Sequence, residues 1–160
     1  MTSSGAASVS VSEAHEVDLD LVAAFGRLIP QLSSSASAPD ADELAGIIGS
    51  EAGHVLVARD DAGLIVGTLT LVVFRIPTGL RAIIEDVVVD GPAVRGRGLR
   101  TGECLTRAAL DLARSLDCKT VDLTSRPSRE DANRLYQRLG FELRETNVYR
   151  FALEATDPRT

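Results

Sequence analysis

The sequence predicts an α+β (mixed α/β) fold: one domain with a central, mostly antiparallel mixed sheet of about seven strands flanked by four helices. Three observations carry this. The 160 residues have the length of one domain. Residues 54–90 read as three consecutive apolar strands joined by tight turns, an antiparallel meander. After Gly98 the apolar period lengthens from two residues to about 3.6, the mark of helices packed on a sheet.

The elements follow in order. Residues 1–8 are small and polar and are expected to form a disordered tail ahead of a domain over residues 9–155. Val9 and Val11 alternate with serines, a short strand. Leu21, Val22, Phe25, Leu28 and Ile29 line one face of a helix over residues 18–32. The Ser/Ala/Pro stretch 33–39 is a loop, and a second helix spans residues 40–48 up to Gly49. Strands are expected at residues 54–59, 64–74 and 80–90, with turns at Asp60-Asp61-Ala62-Gly63 and Pro77-Thr78-Gly79. Leu105, Ala109, Leu112 and Leu116 define the third helix, and Val121 and Leu123 a short strand. Ala132, Leu135, Tyr136 and Leu139 line the fourth helix, which Gly140 ends. Residues 141–144 and 148–153 are expected to close the chain as a hairpin around Glu145-Thr146-Asn147.

Composition narrows the function. No apolar run reaches the roughly 18–20 residues of a membrane helix, and the N-terminal stretch lacks the basic and apolar regions of a secretory signal. Cys104 and Cys118 have neither metal-ligand spacing nor a His cluster, so a reduced, cytoplasmic setting and no metal are expected. The net charge of −6 argues against a nucleic-acid partner. The charge is uneven, however. Residues 1–90 hold 4 Arg against 13 acids, and residues 91–160 hold 13 basic residues against 10 acids. The sign change at Gly91 points to an anion site in an acidic protein.

Three features carry chemistry. Arg95-Gly96-Arg97-Gly98 lies between a strand and a helix. Glycines there let backbone approach a ligand, and the first N–H groups of the helix point at a bound anion. The run lacks the Gly-Lys-Ser/Thr ending of a Walker loop and the third glycine of a dinucleotide fingerprint, where Thr101 stands instead. Glu85 and Asp86 interrupt an apolar strand. Their side chains point to opposite faces unless a bulge intervenes, and a carboxylate with a raised pKa can serve as a general base. Tyr136 lies on the apolar face of the last helix, where a phenol packs in the core or donates a proton; Asn133 sits about one turn earlier.

Together these features resemble the GNAT superfamily of acyl-CoA-dependent N-acetyltransferases. Its phosphate-loop pattern, Gln/Arg-x-x-Gly-x-Gly/Ala, is met by Arg95-Gly96-Arg97-Gly98-Leu99-Arg100 except at the last position, where Arg100 replaces a small residue. Its second signature is similar to Leu135-Tyr136-Gln137-Arg138-Leu139-Gly140-Phe141. The resemblance implies a sheet splayed between the fourth and fifth strands, and acetyl-CoA as cosubstrate. Backbone groups of Val87, Val88 and Val89 would pair with the pantetheine arm. Arg95, Gly96, Arg97, Gly98, Leu99, Arg100 and Thr101 would hold the pyrophosphate, and Asn133 would touch the pantetheine region. Glu85, or failing it Asp86, would serve as base, a strand amide near Val87 or Val88 would stabilise the oxyanion, and Tyr136 would protonate the departing thiolate. The acetyl group would pass directly to a primary amine of a small molecule or peptide in a ternary complex. The alternative is a non-catalytic acyl-CoA-binding or sensing module. Open sheet edges leave room for a homodimer.

Overall fold

A computed structural model describes residues 8–153. The expected positions 1–7, 154 and 155 lie outside them. The order is β1 (Val9–Glu13), α1 (Leu19–Leu32), α2 (Ala41–Ile48), β2 (Gly53–Asp60), β3 (Ile65–Ile76), β4 (Gly79–Val89), α3 (Gly91–Val94), α4 (Thr101–Ser115), β5 (Val121–Leu123) and α5 (Glu130–Arg138). The fold is the expected α+β class with one mixed sheet. Contacts divide the chain into two compact units, Met1–Arg126 and Pro127–Thr160.

In the first unit the strands lie in the order β1-β2-β3-β4-β5. The first four are antiparallel neighbours, and β5 adds parallel to β4. Local signals set the helix starts. The Asp18 carboxylate accepts the Leu21 N–H at 2.7 Å. Asp40 and Glu43 form a reciprocal capping box, both bonds 2.9 Å.

Helices cover both faces of this sheet. Val55, Val57 and Val88 share a core with Leu21, Phe25, Leu28 and Ile29 of α1 and Leu44 of α2. Gly67 pairs with Ala58 and Val89, which turns it to the opposite face from Val57 and Val88. There it meets α4: a Cβ on Gly67 would stand 2.9 Å from Thr101 Cγ2 and 3.1 Å from both Leu105 Cδ1 and the Val88 carbonyl. Glycine therefore sets how closely α4 seats on β3.

Two details differ from expectation. The sheet of the first unit has five strands among the described residues, not about seven, and residues 141–153 of the second unit carry no strand assignment. An alternating pattern becomes a strand only where a neighbour supplies hydrogen bonds. Among the described residues there are also five helices rather than four. Asp90 caps α3, with Pro92 in its first turn, so the segment expected as loop is a short helix.

In the second unit α5 ends in a Schellman motif. The Phe141 N–H donates to the Tyr136 carbonyl and the Gly140 N–H to that of Gln137, both at 3.0 Å. Gly140 takes the left-handed conformation this requires, φ +96°. The Phe141 ring meets Tyr136 edge-on, with centroids 5.8 Å apart. The spacing Tyr-x-x-x-Gly-Phe is thus the chemistry of a helix stop.

Replacing Gly67 by Val forces branched bulk against backbone as well as against α4. Urea denaturation is expected to show a loss of about 1–3 kcal/mol; an unchanged midpoint would mean α4 shifts without cost.

Candidate active site

The segment from Asp90 to Thr101 is built so that some backbone donors are held and others are left free. The Asp90 carboxylate is buried and accepts from the Ala93 N–H at 3.3 Å and from Gln31 Nε2 at 3.2 Å. Gln31 Oε1 in turn accepts the Gly91 N–H at 3.1 Å. Arg27 donates to Asp90 at 3.5 Å and to the Ile65 carbonyl at 2.9 Å. The polar side of α1 thereby fixes the start of the loop.

Its middle is fixed by Arg97. The Arg97 guanidinium bonds the buried Asp60 carboxylate at 2.7 Å and the Ala93 carbonyl at 3.2 Å. That guanidinium bond, opposed by burial and helped by the Leu64 and Ala62 amides, holds the Asp60 carboxyl below the usual carboxylate range. Arg97 and Arg95 also donate their N–H groups to the Val94 and Gly91 carbonyls, both at 3.1 Å. Arg97 is a strut of the loop.

The N–H groups of Gly96 and Gly98 donate to no carbonyl among the described residues. Both glycines are left-handed, φ +73° and +65°, with open space where a Cβ would stand. Arg95 is exposed beside them, and Leu99 is half-buried. Thr101 begins α4, and its buried Oγ1 has no hydrogen-bond partner. Arg100 has φ −97°, so the position does not need glycine, and its side chain turns to Glu103 at 3.1 Å. Free amides, an orphaned hydroxyl, a helix start and a cation fit a pyrophosphate.

Upstream, β4 carries a bulge. Thr68 pairs with Val88 and Thr70 with Glu85, so β4 holds one residue more than β3 between those pairs. Asp86 lies within it with φ +48°, a region aspartate tolerates. Glu85 and Asp86 are consecutive and both exposed. Arg81 partners neither; it donates to Thr120 and Thr78. Glu85 shares a sheet face with Val88, the face that carries α1. The bulge leaves Val88 buried and Val87 and Val89 half-buried. β5 pairs with β4 only at Ala82, Ile83 and Ile84. Beyond them that edge of β4 has no strand beside it among the described residues.

In the second unit Asn133 and Tyr136 lie half-buried on α5. Burial raises the Tyr136 phenol above its ordinary value, and the Arg129 charge partly offsets this. The phenol is therefore a proton donor at neutral pH. Among the described residues no group of His, Cys, Asp or Glu is arranged to hold a metal, and no helix is long and apolar enough to cross a membrane.

Residues 22–141 match the Acetyltransferase (GNAT) family, and the chain belongs to it. Its structure is similar to that of a Trypanosoma brucei acetyltransferase, with 26% identity, a TM-score of 0.70, and coverage of 91% of this chain and 99% of that one. An aminoglycoside acetyltransferase from an uncultured soil metagenomic sample shares the fold at 21% identity and TM-score 0.77, covering 92% and 97%. So does glucosamine-6-phosphate N-acetyltransferase from Arabidopsis thaliana, at 19% identity and TM-score 0.70, covering 89% and 97%. No curated protein matches the sequence.

Sequence reasoning singled out the glycine loop and the acids but missed Asp60, Arg27, Gln31 and Gly67. Only Asp90-Gly91-Pro92, a helix-start signature, offered a local clue. Because the Asp60 pKa is lowered on folding, its contribution is complete above the ordinary carboxylate value near 3.9. It is lost as pH falls through the lowered value. Asp60→Asn is expected to lower the urea midpoint at pH 7, and the difference from the native protein should shrink between about pH 5 and 2. A difference independent of pH would mean that the ion pair contributes nothing.

Proposed function

We propose that this chain transfers the acetyl group of acetyl-CoA directly to a primary amine of a small molecule or peptide, within a ternary complex. The observation that carries the reading is the anion cradle: free amides at Gly96 and Gly98 beside the orphaned Thr101 hydroxyl at the start of α4. Bound there, acetyl-CoA supplies an activated acetyl thioester.

The roles of this chain's residues follow from their chemistry. Gly96, Gly98, Leu99, Arg100 and Thr101 line the cradle, and Arg95 adds positive potential. Arg97 contributes by holding the loop's shape rather than by offering its amide. The edge of β4 at Val87, Val88 and Val89 has backbone groups suited to pairing with the amide-bearing pantetheine arm as an added strand. Asn133 binds the same arm. Attack requires a neutral amine, so Glu85 accepts its proton, directly or through water, with Asp86 as the second choice. An amide near Val87 or Val88 stabilises the developing oxyanion.

Tyr136 then gives its phenolic proton to the departing thiolate. The raised phenol pKa supports that role, since the proton is in place when needed. An acyl-cysteine route finds no support: burial, with the nearby Asp117 carboxylate, pushes the Cys118 thiol up, away from its nucleophilic form. The acidic first half of the chain favours a cationic acceptor.

The direct test is thermal unfolding with acetyl-CoA, followed by thiol release across a panel of amines. At about 100 times its dissociation constant the ligand adds about 2.7 kcal/mol, a rise of roughly 5 °C or more for a domain of this size. ATP and NAD are expected to give less. Gly98→Asp should remove the shift by placing a carboxylate where the diphosphate sits. Tyr136→Phe is expected to keep the shift and lower kcat about 100-fold. Equal loss of both would assign Tyr136 to packing or binding. A shift without thiol release from any amine would favour the non-catalytic acyl-CoA-binding module.

A further inference from the structure

One face of the first unit's sheet carries an apolar row that α1 and α2 do not use. Thr70, Val72 and Phe74 of β3 share the face of Val55 and Val57, and their partners on β4 are Glu85, Ile83 and Arg81. Val55 and Val57 belong to the core with α1 and α2, whereas Val72 and Ile83 are half-buried and lie outside it. Phe74 and Ile76 continue the row, 39% and 37% exposed. Gly53 of β2 stands beside Val72 without a side chain. The Ile47 carbonyl lies 3.7 Å and Ser50 3.8 Å from where a Cβ on Gly53 would be. The end of α2 therefore borders the row on one side.

The other side is acidic. Asp122 of β5 pairs with Ile83, and Glu85 lies two residues beyond Ile83 on β4, so two carboxylates flank one apolar side chain. Both are exposed, and within the first unit neither has an ion-pair partner. Arg81 also lies on this face, but its guanidinium donates to Thr120 Oγ1 at 3.1 Å and to Thr78 Oγ1 at 3.2 Å. By strand rise, Val72 stands about 7 Å and Phe74 about 13 Å along β3 from Thr70, the residue opposite Glu85. An acidic end followed by an apolar row of that length complements a cation with an apolar body.

We propose that this face binds a primary amine with an uncharged alkyl body, its ammonium at Glu85 and Asp122 and its body over Val72, Ile83 and Phe74. For the step that follows binding this rests on the transfer reading: Glu85 is the base there, so the amine held here is the acceptor. An amine with a second charge binds less well, because that charge would lose its water over Val72 and Ile83. The acceptor narrows from any cationic amine to one charged at a single end.

The test uses the full chain with two readouts across n-alkylamines from butylamine to octylamine. Calorimetry reads amine binding, and thiol release from acetyl-CoA reads turnover. Affinity and kcat/KM are expected to rise about three- to fourfold per methylene, on the order of 100-fold over the series. The diamine and the ω-amino acid of octylamine's length should each fall about tenfold or more below octylamine. Phe74→Ala is expected to lower the octylamine-to-butylamine ratio about tenfold; should it fail to fold, Val72→Thr supplies the same ratio. Binding or turnover that ignores chain length overturns the proposal and leaves acetyl transfer standing. So does an ω-amino acid that outbinds octylamine, since Arg81 would then read a carboxylate. An unchanged ratio in a folded variant overturns it too, because the alkyl chains then bind elsewhere. Length-dependent binding without thiol release from any amine keeps the amine site and sinks the transfer reading. Absence of both binding and turnover overturns the site and the transfer reading together.

Discussion

The first unit depends on how closely one helix can approach one strand. Thr101 and Leu105 of α4 press onto β3 at Gly67, where even a methyl group would collide. The start of α4 is also the end of the glycine loop, so this approach fixes the height of the loop above the sheet. Behind the contact, Leu69, Leu71, Ala82 and Ile84 are buried on the same sheet face. Leu105, Ala109 and Ala113 of α4 are buried as well. The small residues along α4 keep the whole helix low, not only its first turn.

A loop so positioned must still hold its shape without closing on itself. Backbone donors in a turn normally find partners, and unpaired ones are costly unless water or a ligand serves them. Here side chains from distant elements serve the scaffold. Asp60 comes from the end of β2, and Arg27 and Gln31 come from α1. They satisfy the loop's guanidinium, its capping carboxylate and its first amide. The amides of Gly96 and Gly98 are left over. Pre-organisation of this kind means a ligand need not pay the ordering entropy of the loop.

Much of this was legible in the sequence, and the reason is local. Period-two and period-3.6 patterns gave the meander and the long helices. Arg95-Gly96-Arg97-Gly98 was visible because left-handed turns need glycine. Tyr136, Gly140 and Phe141 were visible because a Schellman stop has a fixed spacing. Asp60 was read only as a turn residue, since its partner Arg97 lies 37 positions away and no local rule joins them. Gly67 drew no notice inside the strand expected at residues 64–74, because its neighbour is a helix more than 30 residues later. The last hairpin failed for the opposite reason. Residues 148–153 have the right alternation, but pairing is a property of two strands, and sequence pattern describes one.

The bulge at Asp86 has a consequence for the length of β4. Before it, even-numbered residues (Ala82, Ile84) face α4; after it, Val88 faces α1, and Val89 pairs with Gly67 on the α4 side. The extra residue is a phase shift, written once into an otherwise strict two-beat rhythm. Ile84 and Val88 stand four positions apart, which strict alternation would place on one face; the extra residue places them on opposite faces. Deleting Asp86 would leave them three apart, and a regular ladder would keep Val88 opposite Thr68 and Glu85 opposite Thr70, each side chain on its present face. Such a deletion removes the left-handed backbone and the bend at the acids, not the register of the strand. The bulge is therefore a local ornament on an intact frame, shaping β4 only where Glu85 and Asp86 stand.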